Sequence, residues 1–357
     1  MATDIGTSET TPPIFDGHND LLFHLNRETV AVEQVLNGGA QTHIDFPRAK
    51  SGGLGGGMFA IFIPGQMDLS GFMAALETSD YDIPLPEELP WGESVRSAGK
   101  QLRMLKALEN TGVVKICQDS DSLRATLFDE PMAALMHMEG AEAIDPGLEM
   151  LHVFFAAGLR SIGPVWSRPT IFGHGVPIRF PGSPDTGPGL TDLGKNLVRT
   201  CNDLGIVIDL SHLNEKGFDD VARISDAPLV ATHSNAHALC PSPRNLTDRQ
   251  LSLIAESGGV VGLNFAATFL REDGRMKASF GLDVMLRHID YLITKLGEDG
   301  VALGSDFDGA VVSQDISDCA GLVTLRRAMR EHGFSEALME KLCWKNWISV
   351  LGRTLKP

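Results

Sequence analysis

Eight short apolar runs recur along the chain, nearly all separated by amphipathic stretches, and this alternation limits the folds open to it. The runs fall at 14–20, 58–63, 133–139, 159–165, 206–212, 228–233, 260–264 and 301–306. Helical patterns occupy 93–110, 146–157, 191–204, 214–224, 246–257, 281–297 and 335–352. Strands joined through helices lie parallel, with right-handed crossovers. Eight such units close a barrel, and 357 residues suit one with insertions. The expected fold class is α/β, a (β/α)8 TIM-type barrel with long βα loops. An open doubly wound sheet would carry a G-x-G-x-x-G turn after a strand to hold a nucleotide. The cluster "SGGLGGGMF" precedes its strand instead, so Gly52 to Gly57 are expected to form a flexible approach to the second strand. In "LTDLGKNLVRTCNDLG", Thr191 stands as helix N-cap and Gly205 as the stop.

Residues 1–13 have the composition of a flexible N-terminal tail, and 14–357 that of a single barrel domain. The 46 acids against 30 bases give a formal net charge of −16, which argues against nucleic acid or an anionic membrane as partner. No apolar run approaches the roughly 20 residues of a membrane span. The start has neither basic nor apolar signal regions. Five scattered cysteines without a CxxC suggest no disulfide framework, and the expected compartment is the cytoplasm. Residues 65–92 and 164–190 are proline-rich connections too long for ordinary loops; such long structureless segments tend to be functional lids, and the second follows strand four, where a barrel keeps its active site.

Ligand-type residues stand at the C-terminal ends of the runs: His18 and Asp20, Glu139, His212, His233 and Asp306. In a barrel those ends converge on one mouth. Imidazole nitrogens and carboxylate oxygens without sulfur suit zinc. Asp20, Glu139 and Asp306 carry −3 between them. Two Zn2+ and one hydroxide would neutralise that charge, whereas a single Zn2+ would leave the cluster negative. The expected cofactor is two Zn2+ per chain, with Glu139 bridging the His18/Asp20 and His212/His233 pairs.

The blocks "DGHNDL", "MHMEGAEAID", "VIDLSH", "ATHSNAHALCPSPRN" and "GSDFDG" occur in that order. Together they resemble the membrane dipeptidase (renal dipeptidase) family of the amidohydrolase superfamily, over about residues 14 to 352. The resemblance implies a binuclear zinc metallopeptidase that cleaves L-Xaa-L-Xaa and L-Xaa-D-Xaa dipeptides by attack of a metal-bridging hydroxide. It implies that His18 and Asp20 hold one zinc, His212 and His233 the other, and Glu139 both. Asp306 would be the catalytic general acid/base, and Arg244 would bind the substrate's terminal carboxylate. A homodimer is compatible with the family. Active dipeptidases carry a histidine just after strand four, where this chain has Trp166, with His174 in the same loop as a candidate to reach in.

Other polar residues have plainer expectations. Asp16 would point into the barrel below the metals and need a partner, and Asp308 would share a strand face with Asp306 if the strand continues, where it could support the metal site from behind. His137 is expected as a hydrogen-bonded core residue, His237 as structural or as a support behind a metal ligand, and His288 on the polar side of its helix. Leu342, Trp344, Trp347 and Leu351 form one helical stripe suited to core packing. Two alternatives stand beside the dipeptidase: a hydrolase of another small amide or lactone, suggested by Trp166, and a metal-stabilised binding protein. The retained Asp306 speaks against the latter.

Overall fold

The computed structural model describes residues 12–65 and 69–356, so the expected tail lies outside it but for Pro12 and Pro13. Eleven strands follow in chain order: β1 (Ile14–Asn19), β2 (Leu54–Phe62), β3 (Tyr81–Ile83), β4 (Val114–Ile116), β5 (Met132–Glu139), β6 (Leu159–Gly163), β7 (Ile178–Phe180), β8 (Val207–Ile208), β9 (Val230–Ala231), β10 (Val260–Leu263) and β11 (Val301–Leu303). Strands β1, β2, β5, β6 and β8 pair in parallel in that order, and β9, β10 and β11 form a second parallel run. Two bridges join the runs into a closed barrel. Asp209 pairs with Val230 beyond β8, and Asn19 pairs with Phe307 beside β1. All eight expected strands and all seven expected helices are present. Thr191 accepts from the Gly194 amide, and Gly205 ends that helix in the left-handed region at φ 72°.

The barrel core is continuous from Ile14 to Leu355. The C-terminal stripe closes its floor: Trp347 is fully buried and donates from its indole N–H to the Leu303 carbonyl at 2.9 Å. Leu342, Trp344 and Leu351 are buried beside it.

Three expectations about local structure change. The glycine cluster is not a flexible approach. A helix over Phe46–Gly52 ends on Gly53, and β2 already begins at Leu54. A β-carbon at Gly56 would stand 2.6 Å from the Ala133 carbonyl, so the strands meet there because the residue has no side chain. His288 is buried rather than on a polar face. Its ring accepts from the Ala236 amide at 3.3 Å and donates to the Leu270 carbonyl at 3.0 Å. The two proline-rich insertions are not structureless either. β3 from the first pairs antiparallel with β7 from the second, Tyr81 opposite Phe180 and Ile83 opposite Ile178. A small second core of Leu76, Tyr81, Phe180 and Cys240 lies behind this ribbon.

Candidate metal centre

Two of the strands carry candidate ligands on the ladder itself. His18 lies within β1 and Glu139 is the last residue of β5. Asp20 follows β1 as N-cap of the helix Leu21–Asn26, yet makes no capping hydrogen bond. An aspartate at that place ordinarily accepts from the helix amides. Here its Oδ2 lies 3.3 Å from His18 Nε2 instead.

The others stand beyond their strands. His233 is two residues past β9, His212 four past β8, and Asp306 three past β11. His212 and Asp306 have φ of 68° and 58°, in the left-handed region that non-glycine residues seldom enter. Strand alternation therefore does not aim these side chains; the strained turns do.

The six side chains meet in a buried cluster. Glu139 divides its oxygens. Oε1 lies 3.0 Å from His212 Nε2 and 3.4 Å from His233 Nε2, while Oε2 faces His18 Nε2 at 3.8 Å. The donor atoms of His18, Glu139 and His233 fall within 4.8 Å of one another, as do those of His18, Asp20 and Asp306. The rings of His18 and His233 stack with centroids 3.8 Å apart.

Neighbours fix which imidazole nitrogen is free. Ser167 Oγ meets His212 Nδ1 at 3.2 Å, and Thr232 Oγ1 meets His233 Nδ1 at 2.8 Å. In both rings Nε2 is left to face the cluster, the arrangement in which an outer partner sets a ligand's tautomer. Thr232 in turn donates to Asp209, which also accepts the Ser211 amide.

The electrostatics fit a bound cation. Burial, reinforced by Arg244 and His18, holds His212 and His233 well below the ordinary imidazole range, so both are neutral, the form in which an imidazole can ligate a metal. Burial also raises Glu139 and Asp306. At His18 burial acts to remove the proton, but Glu139 and Asp20 overrule it and hold the group up to about 10. The position demands positive charge, which a divalent metal would supply with the imidazole neutral. Donor chemistry and charge thus both suit zinc.

Of the remaining expected residues, Arg244 lies in the same cleft, 5% exposed. Its Nη1 donates to Ser234 Oγ and its Nη2 to the His233 carbonyl, each at 2.8 Å, while Nε has no hydrogen-bond partner. Asp16 finds its partner in Ser305, whose amide and hydroxyl both donate to it, while burial raises it to about 6. Trp166 lines the mouth, its ring 5.9 Å from His212 and 5.4 Å from Phe62.

Two expectations fail. Asp308 shares no strand face with Asp306, because β11 ends at Leu303 and Asp308 sits at φ 72°; its carboxylate accepts the His43 amide. His174 does not reach in: it is not among the residues lining the cleft, and its carbonyl accepts from the Asn214 amide. His137 is the expected core residue, paired with Ser161 Oγ at 2.9 Å. His237 is structural, bound to the Gly182 carbonyl.

Sequence reasoning missed Asn264, which donates to Asp306 Oδ2 at 2.9 Å, and Asp209, buried between Thr232 and His137. Both carried a signal, Asn264 as the polar residue ending run 260–264 and Asp209 as an acid inside the apolar run 206–212. It also missed Arg168, buried in a 2.7 Å pair with Glu142 and donating to the Ile63 carbonyl. Nothing in its loop sequence marked it.

A closed barrel with buried histidines and carboxylates at the C-terminal mouth is the architecture of the metal-dependent amidohydrolases. The chain belongs to the membrane dipeptidase family, peptidase family M19, whose model matches residues 7–356, and it is a hydrolase of the metallo-dipeptidase kind. A metallopeptidase from Rhodobacter sphaeroides, solved with a phosphinate mimic of the dipeptide L-Ala-D-Ala, is 54% identical, with a TM-score of 0.95 over 97% of this chain and 100% of that one. A dipeptidase of family M19 is 53% identical, with a TM-score of 0.94 over 97% and 99%. An uncharacterised protein from the pqqA 5′ region of Klebsiella pneumoniae is 48% identical over 73% of this chain and 97% of its own length. Among the described residues no helix is long and apolar enough to cross a membrane.

Proposed function

We propose that the chain is a binuclear zinc dipeptidase acting on free L,L and L,D dipeptides in the cytoplasm. The observation that carries this is the divided Glu139 carboxylate, one oxygen toward His212 and His233 and the other toward His18. A carboxylate so placed suits two metals, with His18 and Asp20 on one side and His212 and His233 on the other. The phosphinate dipeptide mimic held by the Rhodobacter sphaeroides relative supports the substrate class.

When bound, zinc supplies Lewis acidity, which polarises a carbonyl and lowers the pKa of water. The remaining work falls to side chains. Asn264 fixes Asp306 Oδ2, leaving Oδ1 to take a proton from the attacking water and deliver it to the leaving amine. Arg244 is held rigid by two hydrogen bonds, and its guanidinium, on the cleft lining, would bind the substrate's terminal carboxylate. That contact restricts the enzyme to short peptides with a free C-terminus. Every group invoked comes from one chain, so the reading does not require a homodimer.

The test is steady-state hydrolysis of L,L and L,D dipeptides by zinc-loaded protein, with N-acetylated and C-amidated controls and metal content measured alongside. Turnover of free dipeptides but not C-amidated ones, at two zinc per chain, is the expected result. Turnover of amidated substrates at the same rate would remove Arg244's role. A second reading, hydrolysis of a different small amide or lactone, is favoured by the Trp166 ring lying against His212. It would show as two bound zinc and no dipeptide turnover.

A further inference from the structure

The cleft encloses about 1880 Å3, against roughly 300–1,000 Å3 for an ordinary small-ligand pocket. It therefore extends well past the reacting groups, and the side on which Arg244 lies is apolar. Phe269 lies under the Arg244 guanidinium, its centroid 5.6 Å away. Beyond it the cleft is lined by Phe72, Tyr81, Ile178 and Met276. Phe72, Ile178 and Met276 pack on the second core of Leu76, Tyr81, Phe180 and Cys240.

This wall is tied to both ends of the site. The Val176 amide donates to the His212 carbonyl at 2.8 Å, so the chain leaving the metal cluster leads directly into β7. After β7, the Gly182 amide donates to the Pro241 carbonyl at 2.8 Å, and a β-carbon on Gly182 would stand 2.7 Å from the Pro243 ring. Pro243 precedes Arg244. On the other strand, Tyr81 donates to the Gly274 carbonyl, and just before that strand the Leu76 carbonyl, at the end of the helix Leu69–Leu76, accepts from the Met276 amide. The ribbon thus spans from a metal ligand to the carboxylate clamp and is anchored at each.

We infer that this ribbon and its apolar lining form the pocket for the side chain of the substrate's C-terminal residue, and that they select a large apolar one. The inference rests on the dipeptidase reading above. With the terminal carboxylate on Arg244, the side chain of the same residue lies within a few bonds of the guanidinium, beside Phe269 and the ribbon. The one charged residue of β7, Arg179, is engaged by Asp82 across the ribbon at 2.6 Å. No free charge on the ribbon strands therefore serves an acidic side chain, and burial of apolar surface is what the wall offers.

The experiment compares kcat/KM of zinc-loaded protein for L-Ala-L-Phe, L-Ala-L-Leu, L-Ala-Gly and L-Ala-L-Asp. A preference of about tenfold or more for Phe and Leu over Gly is expected, the range an apolar pocket gives for added methylenes. Ile178→Thr and, separately, Phe72→Ala are expected to compress the Phe/Gly ratio several-fold. Phe72 is half-exposed on its helix, so its variant guards against a folding defect at Ile178. Equal kcat/KM across the panel, or a ratio that neither variant moves, overturns the inference and leaves the dipeptidase reading standing. Absence of turnover on every dipeptide overturns both.

Discussion

Asn264 Nδ2 lies 2.9 Å from Asp306 Oδ2 and donates to it, so one oxygen of the carboxylate is committed, and in the proposed mechanism the other moves the proton. Asp306→Asn retains the shape and loses the base. We expect metal content unchanged and kcat lower by about 10²- to 10⁴-fold. Metal analysis and steady-state kinetics on the same preparation check this, and near-normal turnover with metal intact would remove Asp306 from the chemistry.

Two nitrogens of Arg244 are fixed by Ser234 and the His233 carbonyl, and its proposed role is to hold the substrate's carboxylate. Lysine preserves the charge but not the fork. Arg244→Lys is expected to cost about 100-fold in kcat/KM for dipeptides, equivalent to roughly 2–3 kcal/mol for a lost charged hydrogen bond. The loss should sit mainly in KM. A loss confined to kcat would argue for a role other than holding the carboxylate.

Glu139 faces both halves of the cluster, whereas His18 and His212 each belong to one. Glu139→Ala should therefore lower bound zinc at both positions, and His212→Ala chiefly at one. Removing metal from the native protein leaves buried carboxylates without counter-charge, so chelation should lower Tm by about 5 °C or more, reversed on adding zinc. Differential scanning calorimetry with and without chelator measures it; identical melts would mean the metal does not stabilise the fold.

His288 is buried and neutral, pushed down by burial to about 4 from its ordinary 6.5. Its unfolded form takes a proton between those values and its folded form does not. The stability it contributes is thus fully present above pH 6.5 and is lost as pH falls toward 4, by roughly 3 kcal/mol in all. Thermal melts from pH 7 to 4 should show the native protein losing its advantage over His288→Gln as pH falls. A constant difference across that range would contradict the assignment.

The barrel was legible because each strand is an apolar run too short for a helix and each crossover helix carries its own caps, as Thr191 and Gly205 do. The polar cluster at the mouth was legible for a related reason: polar residues at the ends of buried runs need something to satisfy them. Their exact disposition was not. His212 and Asp306 owe their direction to left-handed backbone that no periodicity announces. Arg168 and Glu142 come from different loops, and only the folded chain brings them together. His288 was misplaced because one turn of helix packs under the Ala236 and Leu270 backbones, turning a polar position into a buried one.

The antiparallel pairing of Tyr81–Ile83 with Ile178–Phe180 has a consequence for how such proteins can be re-engineered. Each insertion leaves a different barrel strand, yet neither can complete its backbone hydrogen bonds without the other. Grafting one of them from a relative would leave an unpaired edge over the cleft. Exchanging the two together keeps the ribbon's own pairing intact, provided the segments around Pro241 and Gly274 that anchor it are kept compatible. Chimeras built on this barrel should therefore be designed with paired rather than single crossovers.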